Sequence, residues 1–173
     1  TCSLSEAWGG DDLPYLRSVD IGEPYEEAAD GVWSEYLTMH ELSERLRAYG
    51  GVFAALTGAV TELRVTATDR YGSGFVTELT AADGEGNTAV LRYSAPIRQA
   101  LGLKSANFTL TPVMLRRPNG SVYQAGVRID GKGHGHGVGL SGTGAAYLSE
   151  SLGYDYTRIL AAYFPGTALK TQG

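Results

Sequence analysis

Between residues 63 and 93 apolar and polar positions alternate with a period of two, the spacing of strands that bury one face. Leu63, Val65 and Ala67 alternate with polar neighbours, and Asp69-Arg-Tyr-Gly-Ser-Gly74 turns the chain. Residues 75–82 return it, and Asp83-Gly-Glu-Gly-Asn87 turns it again before residues 88–93. The pattern predicts an antiparallel meander. Two further strands, over 107–113 and 122–129, flank an Arg-Pro-Asn-Gly120 turn. Residues 1–36 carry no period; with Trp8, Tyr15, Tyr25, Trp33 and Tyr36 set among Gly, Asp and Pro, they read as a long irregular segment packed by its own rings.

Helical spacing occurs in four places. Thr38-Met-His-Glu41 has the spacing of a capping box, with Leu37 and Leu42 at staple positions. It predicts a helix over 39–49 that buries Leu42, Leu46 and Tyr49 and stops at Gly50-Gly51. Ser94-Ala-Pro96 opens a short helix closed by Gly102. Residues 145–152 and 155–164 predict a helical hairpin, with Gly153 ending the first helix, Asp155 capping the second, and Pro165-Gly166 stopping it. Strands followed by helices make the chain α+β, an antiparallel β-meander with a few helices and a C-terminal helical hairpin, rather than a doubly wound sheet.

At 173 residues this is one domain, long enough to form a core without metals or disulfides. The net charge of −5, with no basic run longer than Arg116-Arg117, argues against nucleic acid as a partner. No apolar stretch approaches the ~18 residues of a membrane span. The single cysteine, Cys2, excludes an internal disulfide.

The most unusual segment is Gly131-Lys-Gly-His134-Gly-His136-Gly-Val-Gly139-Leu-Ser141-Gly-Thr-Gly144, in which every second residue up to 139 is glycine. Such density implies positive φ or close approach to the main chain. It is not a P-loop, because Lys132 is followed by Gly133 rather than Ser or Thr. A dinucleotide fingerprint wants an acidic residue ~20 positions on, which neither Glu150 nor Asp155 supplies. Gly139-Leu-Ser141-Gly is followed by Thr143, so it is no nucleophile elbow, and Ser141 reads as a helix cap.

Four ordered pieces, spread over the chain, resemble the C-terminal part of the stage II sporulation protein D family, bacterial extracytoplasmic proteins that include amidase enhancers. They are Trp8-Gly-Gly with Pro14-Tyr-Leu-Arg-Ser-Val19; Ile97-Arg-Gln-Ala-Leu-Gly-Leu-Lys-Ser105; Gly133-His-Gly-His-Gly-Val-Gly-Leu-Ser141 with Gly144-Ala145; and Tyr154-Asp-Tyr-Thr-Arg-Ile-Leu with Tyr163-Phe-Pro-Gly166. Two positions depart from that family: His134 stands where it has tryptophan, and Gly142 where it has glutamine. His136 matches the family histidine.

The resemblance implies that the chain is the C-terminal portion of a longer peptidoglycan lytic transglycosylase. Its substrate would be peptide-stripped glycan strands, cleaved to 1,6-anhydro-muramyl products by one carboxylic acid acting first as acid and then as base. Ordinary glycoside hydrolysis needs two carboxylates. The family glutamate lies upstream of Trp-Gly-Gly, so the chain contains no catalytic residue, and Glu6 is not its match. The alternative is a non-catalytic glycan-binding or amidase-enhancing module. The chemistry requires no cofactor, although some family members hold a structural zinc before Trp-Gly-Gly, which makes Cys2 a candidate ligand whose partners lie outside this chain. The resemblance further implies an extracytoplasmic location, a membrane anchor outside this chain, and cell-wall amidases or other sporulation proteins as partners.

The candidate substrate-binding residues are His136, His134, Ser141, Trp8, Tyr15 and Arg17. The two histidines, two residues apart, would face one side of an extended segment. His136 would line a groove or be held by a backbone hydrogen bond, and His134 would be solvent-exposed. A metal held by the histidine pair lacks a third ligand nearby. Trp8 and Tyr15 are the candidates for stacking on sugar rings. Arg17 would meet a lactyl carboxylate or, as the simpler expectation, pair with Asp20 or Asp12. Trp33, Tyr163 and Phe164 are expected in the core, and His40 in solvent.

Overall fold

A computed structural model describes residues 1–22 and 31–170; Tyr25, assigned above to the irregular segment, lies outside the described residues. The order is α1 (Leu4–Trp8), β1 (Val32–Thr38), α2 (Met39–Tyr49), a 3-10 turn (Gly51–Ala55), β2 (Val60–Thr68), β3 (Val76–Asp83), β4 (Thr88–Arg92), α3 (Ser94–Leu101), β5 (Phe108–Arg116), β6 (Val122–Lys132), α4 (Gly142–Glu150) and α5 (Tyr156–Tyr163). This is an α+β fold with antiparallel strands and two helices at its end.

The strands form two three-stranded sheets. β2, β3 and β4 make the expected meander. In the second sheet β6 lies in the centre, paired with its hairpin partner β5 on one side and with β1 on the other. That last pairing corrects the reading of residues 1–36 as wholly irregular. β1 alternates as a strand should, but its inward register includes Glu35 between Trp33 and Leu37, which hides the period. Arg45 on α2 resolves the conflict: its Nη2 lies 2.6 Å from the Glu35 carboxylate, and its Nη1 donates to the Leu101 carbonyl. α1, the other element in this segment, has only five residues and is too short to show a helical period.

The main core lies between the sheets, α2 and α3, around Leu37, Leu42, Leu46, Leu79, Ile97, Leu101, Val127 and Ile129. Trp33 packs against it. The capping box forms in full, with Glu41 N donating to Thr38 Oγ1 at 3.1 Å and Thr38 N to Glu41 Oε2 at 2.9 Å. Tyr49 is not buried as expected: it is 37 % exposed and touches Phe53 edge-on, because it ends the helix beyond the covered stripe. Gly102 takes the left-handed conformation that closes α3.

Two smaller clusters carry the candidate site. One joins Cys2 and Ala7 of the N-terminal segment to Phe75, Ala106 and Val138. The other, Leu148, Ile159 and Tyr163, holds α4 against α5, with Phe164 partly buried beside it. Asp155 caps α5 by accepting from Arg158 N at 2.9 Å. Among the described residues no helix is long and apolar enough to cross a membrane.

Candidate functional site

β6 ends at Lys132, and beyond it the chain bends rather than extends. Gly133, Gly135, Gly137 and Gly139 have φ of +67°, +110°, +79° and +75°, in the region that favours glycine. The expectation that His134 and His136 project from an extended segment is therefore corrected, since the period-two rule does not hold through alternate positive φ angles.

Four hydrogen bonds from three separate parts of the fold pin the bent segment. Gly133 N donates to Gly31 O at 2.9 Å, and the Trp33 indole N–H donates to Gly133 O at 2.9 Å. Gly135 N donates to Lys104 O at 2.8 Å, and Cys2 N donates to Gly137 O at 2.7 Å. Two aromatic rings fill the space that the glycines leave: Trp33 lies where a Cβ on Gly131 would stand, and Phe75 where one on Gly137 would. The glycines thus serve both backbone conformation and close ring packing.

The segment encloses a cavity of ≈ 320 Å³, lined also by Thr1, Phe75 and Ser105. That volume falls at the lower end of small-ligand sites, roughly 300–1,000 Å³. Both histidines line it and both are exposed, as expected for His134. His136 accepts from Val138 N through Nδ1 at 3.1 Å, so the neutral ring carries its proton on Nε2 and keeps that donor for a ligand. The backbone bond and the exposed ring, posed as alternatives in sequence, coexist. Ser141 is the cap of α4, its Oγ accepting from Gly144 N at 3.0 Å, and it also lines the cavity.

Trp8, at the end of α1, is 46 % exposed, and its ring centre lies 5.0 Å from that of His136 with the planes tilted by 50°. A large exposed indole against an imidazole on a cavity wall offers an apolar face beside a hydrogen-bond donor. Next to Trp8, Gly9 carries the ring of Tyr93, whose Cζ lies 2.7 Å from where a Gly9 Cβ would be. Tyr93 has φ 73° and ψ 138°, a conformation costing on the order of 1–3 kcal/mol for a residue with a side chain. Nothing in the sequence marked it.

The remaining candidates stand apart from this arrangement. Tyr15 is 42 % exposed in the loop after α1. Arg17 is exposed and, contrary to expectation, pairs with neither aspartate among the described residues. Asp12 is taken by Arg70, 2.5 Å from its Nη2, and by Ser5 N, while Asp20 caps Gly22 N. His40 is exposed.

Cys2 is fully buried. Burial and then the nearby Glu6 carboxylate push its thiol up to about 12, so it is neutral at ordinary pH. A zinc ligand must be a thiolate. Among the described residues no three His, Cys, Asp or Glu side chains converge as a metal site would need, so a zinc at Cys2 would draw its other ligands from outside this chain and would have to displace the thiol proton. Glu6 itself is committed to the fold, accepting from Ser3 Oγ at 3.1 Å and from Arg70 N at 2.8 Å.

Sequence reasoning also missed Asp69. Its buried carboxylate accepts from four backbone N–H groups in the loop that leads to Phe75, and its Asp-x-x-x-x-Gly setting gave only a turn.

No curated protein matches the chain. A family model matches residues 25–139, a stretch that takes in both sheets and both histidines and leaves out α1, α4 and α5. The chain belongs to that family, described as a domain of unknown function (DUF8618).

Proposed function

We propose that this chain is the glycan-holding C-terminal part of a peptidoglycan-processing protein, and that the histidine-lined cavity and Trp8 bind the glycan strand. The observation that carries the reading is the exposed Trp8 ring set against His136 on the cavity wall. It supplies the pairing saccharides need, an apolar face for sugar C–H groups and a donor for a hydroxyl or N-acetyl oxygen. The resemblance to the sporulation family adds the substrate, peptide-stripped strands outside the cytoplasm, and the lytic route when an upstream glutamate completes the site.

The test is binding of the chain to peptide-free glycan strands. Trp8→Ala and His136→Ala are each expected to weaken it at least tenfold, about 1.4 kcal/mol. Their melting temperatures should move little, because both side chains are exposed and His136 makes one modest hydrogen bond to the fold. A badly destabilised His136→Ala with normal binding per folded molecule would assign the residue to structure.

The chain alone is expected not to cut. No Asp or Glu is among the described residues that line the cavity, and Glu6 is held by Ser3 and Arg70. Incubation with glycan strands should give no anhydro-muramyl products by mass spectrometry, and products that scale with protein would refute this. The same lack of a carboxylate favours, as a second reading, a module that holds glycan or enhances an amidase without cutting. A longer chain that carries the upstream glutamate, assayed in the same way, separates the two.

A further inference from the structure

We propose that Tyr93 is a further saccharide-contacting residue on the Trp8–His136 face, held in an unfavourable backbone conformation to put its phenol there. This rests on the glycan reading above. Among the described residues Tyr93 is the only one other than glycine with positive φ. It precedes α3 at the capping position, yet its side chain caps nothing. Its main chain makes ordinary bonds, Tyr93 N donating to Thr77 O at 2.8 Å and Tyr93 O accepting from Ile97 N at 3.2 Å, which any residue with a backbone N–H would make. Glycine would hold this conformation without strain.

The tyrosine side chain is not placed there for the core, since it is 40 % exposed. Its ring lies flat enough on Gly9 that Cζ, Cε2 and Oη come within 2.7–3.0 Å of the missing Cβ position, directly after Trp8 in the chain. Gly9 is thereby explained as well: with φ +81° and no side chain, it lets the phenol settle on the main chain one residue beyond Trp8. A residue strained in its backbone, idle in capping and exposed beside a candidate site points to a role outside the fold. Its chemistry matches that of its neighbours, with an apolar ring for the carbon face of a sugar and a hydroxyl that both donates and accepts. The ligand class is an uncharged hexose-type unit of the strand, next to the one that meets Trp8.

The experiment measures melting temperature and affinity for peptide-free glycan strands in wild type, Tyr93→Gly, Tyr93→Asn, Tyr93→Phe and Trp8→Ala. Glycine and asparagine both accept positive φ. Tyr93→Gly and Tyr93→Asn are expected to bind at least about fivefold more weakly, the scale of one lost stacking contact, with Tyr93→Phe between them and wild type. Both should melt within about 2 °C of wild type, relief of strain offsetting the lost contact with Gly9. Wild-type affinity in both variants, or melting temperatures that fall together by more than that, overturns the assignment to ligand and gives Tyr93 to the fold. Loss of binding in Trp8→Ala alongside normal binding in the Tyr93 variants leaves the glycan reading standing without Tyr93. No binding by wild type removes both.

Discussion

Replacing Gly137 by alanine is expected to cost about 3 kcal/mol of stability, lowering the melting temperature of a chain this size by about 6–12 °C. Two effects add. The backbone at φ +79° costs a residue with a Cβ on the order of 1 kcal/mol. The Cβ would also enter the Phe75 ring, and Phe75 is 6 % exposed in the cluster with Cys2, Ala7, Ala106 and Val138, so moving aside breaks that packing. Forcing atoms into a packed site adds typically 1–3 kcal/mol. Gly135→Ala is the control: it has φ +110° and open space around its Cβ, so it should show the backbone cost alone, about 1 kcal/mol. Gly139→Ala, with Phe164 and Leu16 at ordinary contact distance, should resemble Gly135→Ala. Urea denaturation of the three variants measures the difference, and equal losses at Gly135 and Gly137 would show that Phe75 yields freely.

This contrast also marks what the sequence could and could not tell. The run of glycines announced unusual backbone, and positive φ at Gly133, Gly135, Gly137 and Gly139 is what such density requires. Which glycine makes room for which ring was not legible, because Phe75 lies more than sixty residues away and Trp33 about a hundred. The meander, the capping box at Thr38 and Glu41, the caps at Ser141 and Asp155, and the turn at Gly102 were readable because each is local. β1 was missed because Glu35 interrupts its apolar register, and its partner Arg45 acts through a tertiary contact that no period reveals. The conjunction of Trp8 with His136 was equally hidden: each residue stood out alone, but only folding brings α1 against the glycine segment, through Cys2 N and the Gly137 carbonyl.

The same buried hydrogen bond explains why the N-terminal residues matter to the site although α1 is short. Cys2 N holds Gly137 O, Thr1 N holds Val19 O at 2.8 Å, and Leu4 N donates to Leu16 O at 3.1 Å. These bonds fold residues 1–19 back onto the glycine segment and fix Trp8 relative to His136. Arg70 ties α1 from the other side through Glu6, Asp12 and Ser5. The segment that sets Trp8 against His136 is therefore anchored also to the loop over residues 69–75.

That loop carries the second large effect. Asp69→Ala is expected to cost about 3–4 kcal/mol, since its carboxylate, 4 % exposed, is the acceptor for four backbone donors. Oδ1 takes Gly74 N at 2.8 Å and Phe75 N at 3.0 Å, and Oδ2 takes Ser73 N at 3.0 Å and Tyr71 N at 3.1 Å. Water can reach some of these groups after truncation, which keeps the cost below four full charge-assisted hydrogen bonds of about 1.5–3 kcal/mol each. Asp69→Asn separates hydrogen bonding from lost volume: it fills the same space but offers one acceptor oxygen and turns an amide toward two N–H donors, so at least half of the alanine effect should remain. The consequences extend to the cavity, because the latched loop delivers Phe75 to its wall and over Gly137. Both variants should therefore bind glycan strands more weakly per folded molecule than wild type, although Asp69 itself lines no part of the cavity. Denaturation by urea and binding at saturating folded fraction measure the two effects. An Asp69→Ala protein within about 1 kcal/mol of wild type would mean that the loop holds its shape through its glycines and the Asp69 N to Phe75 O bond alone.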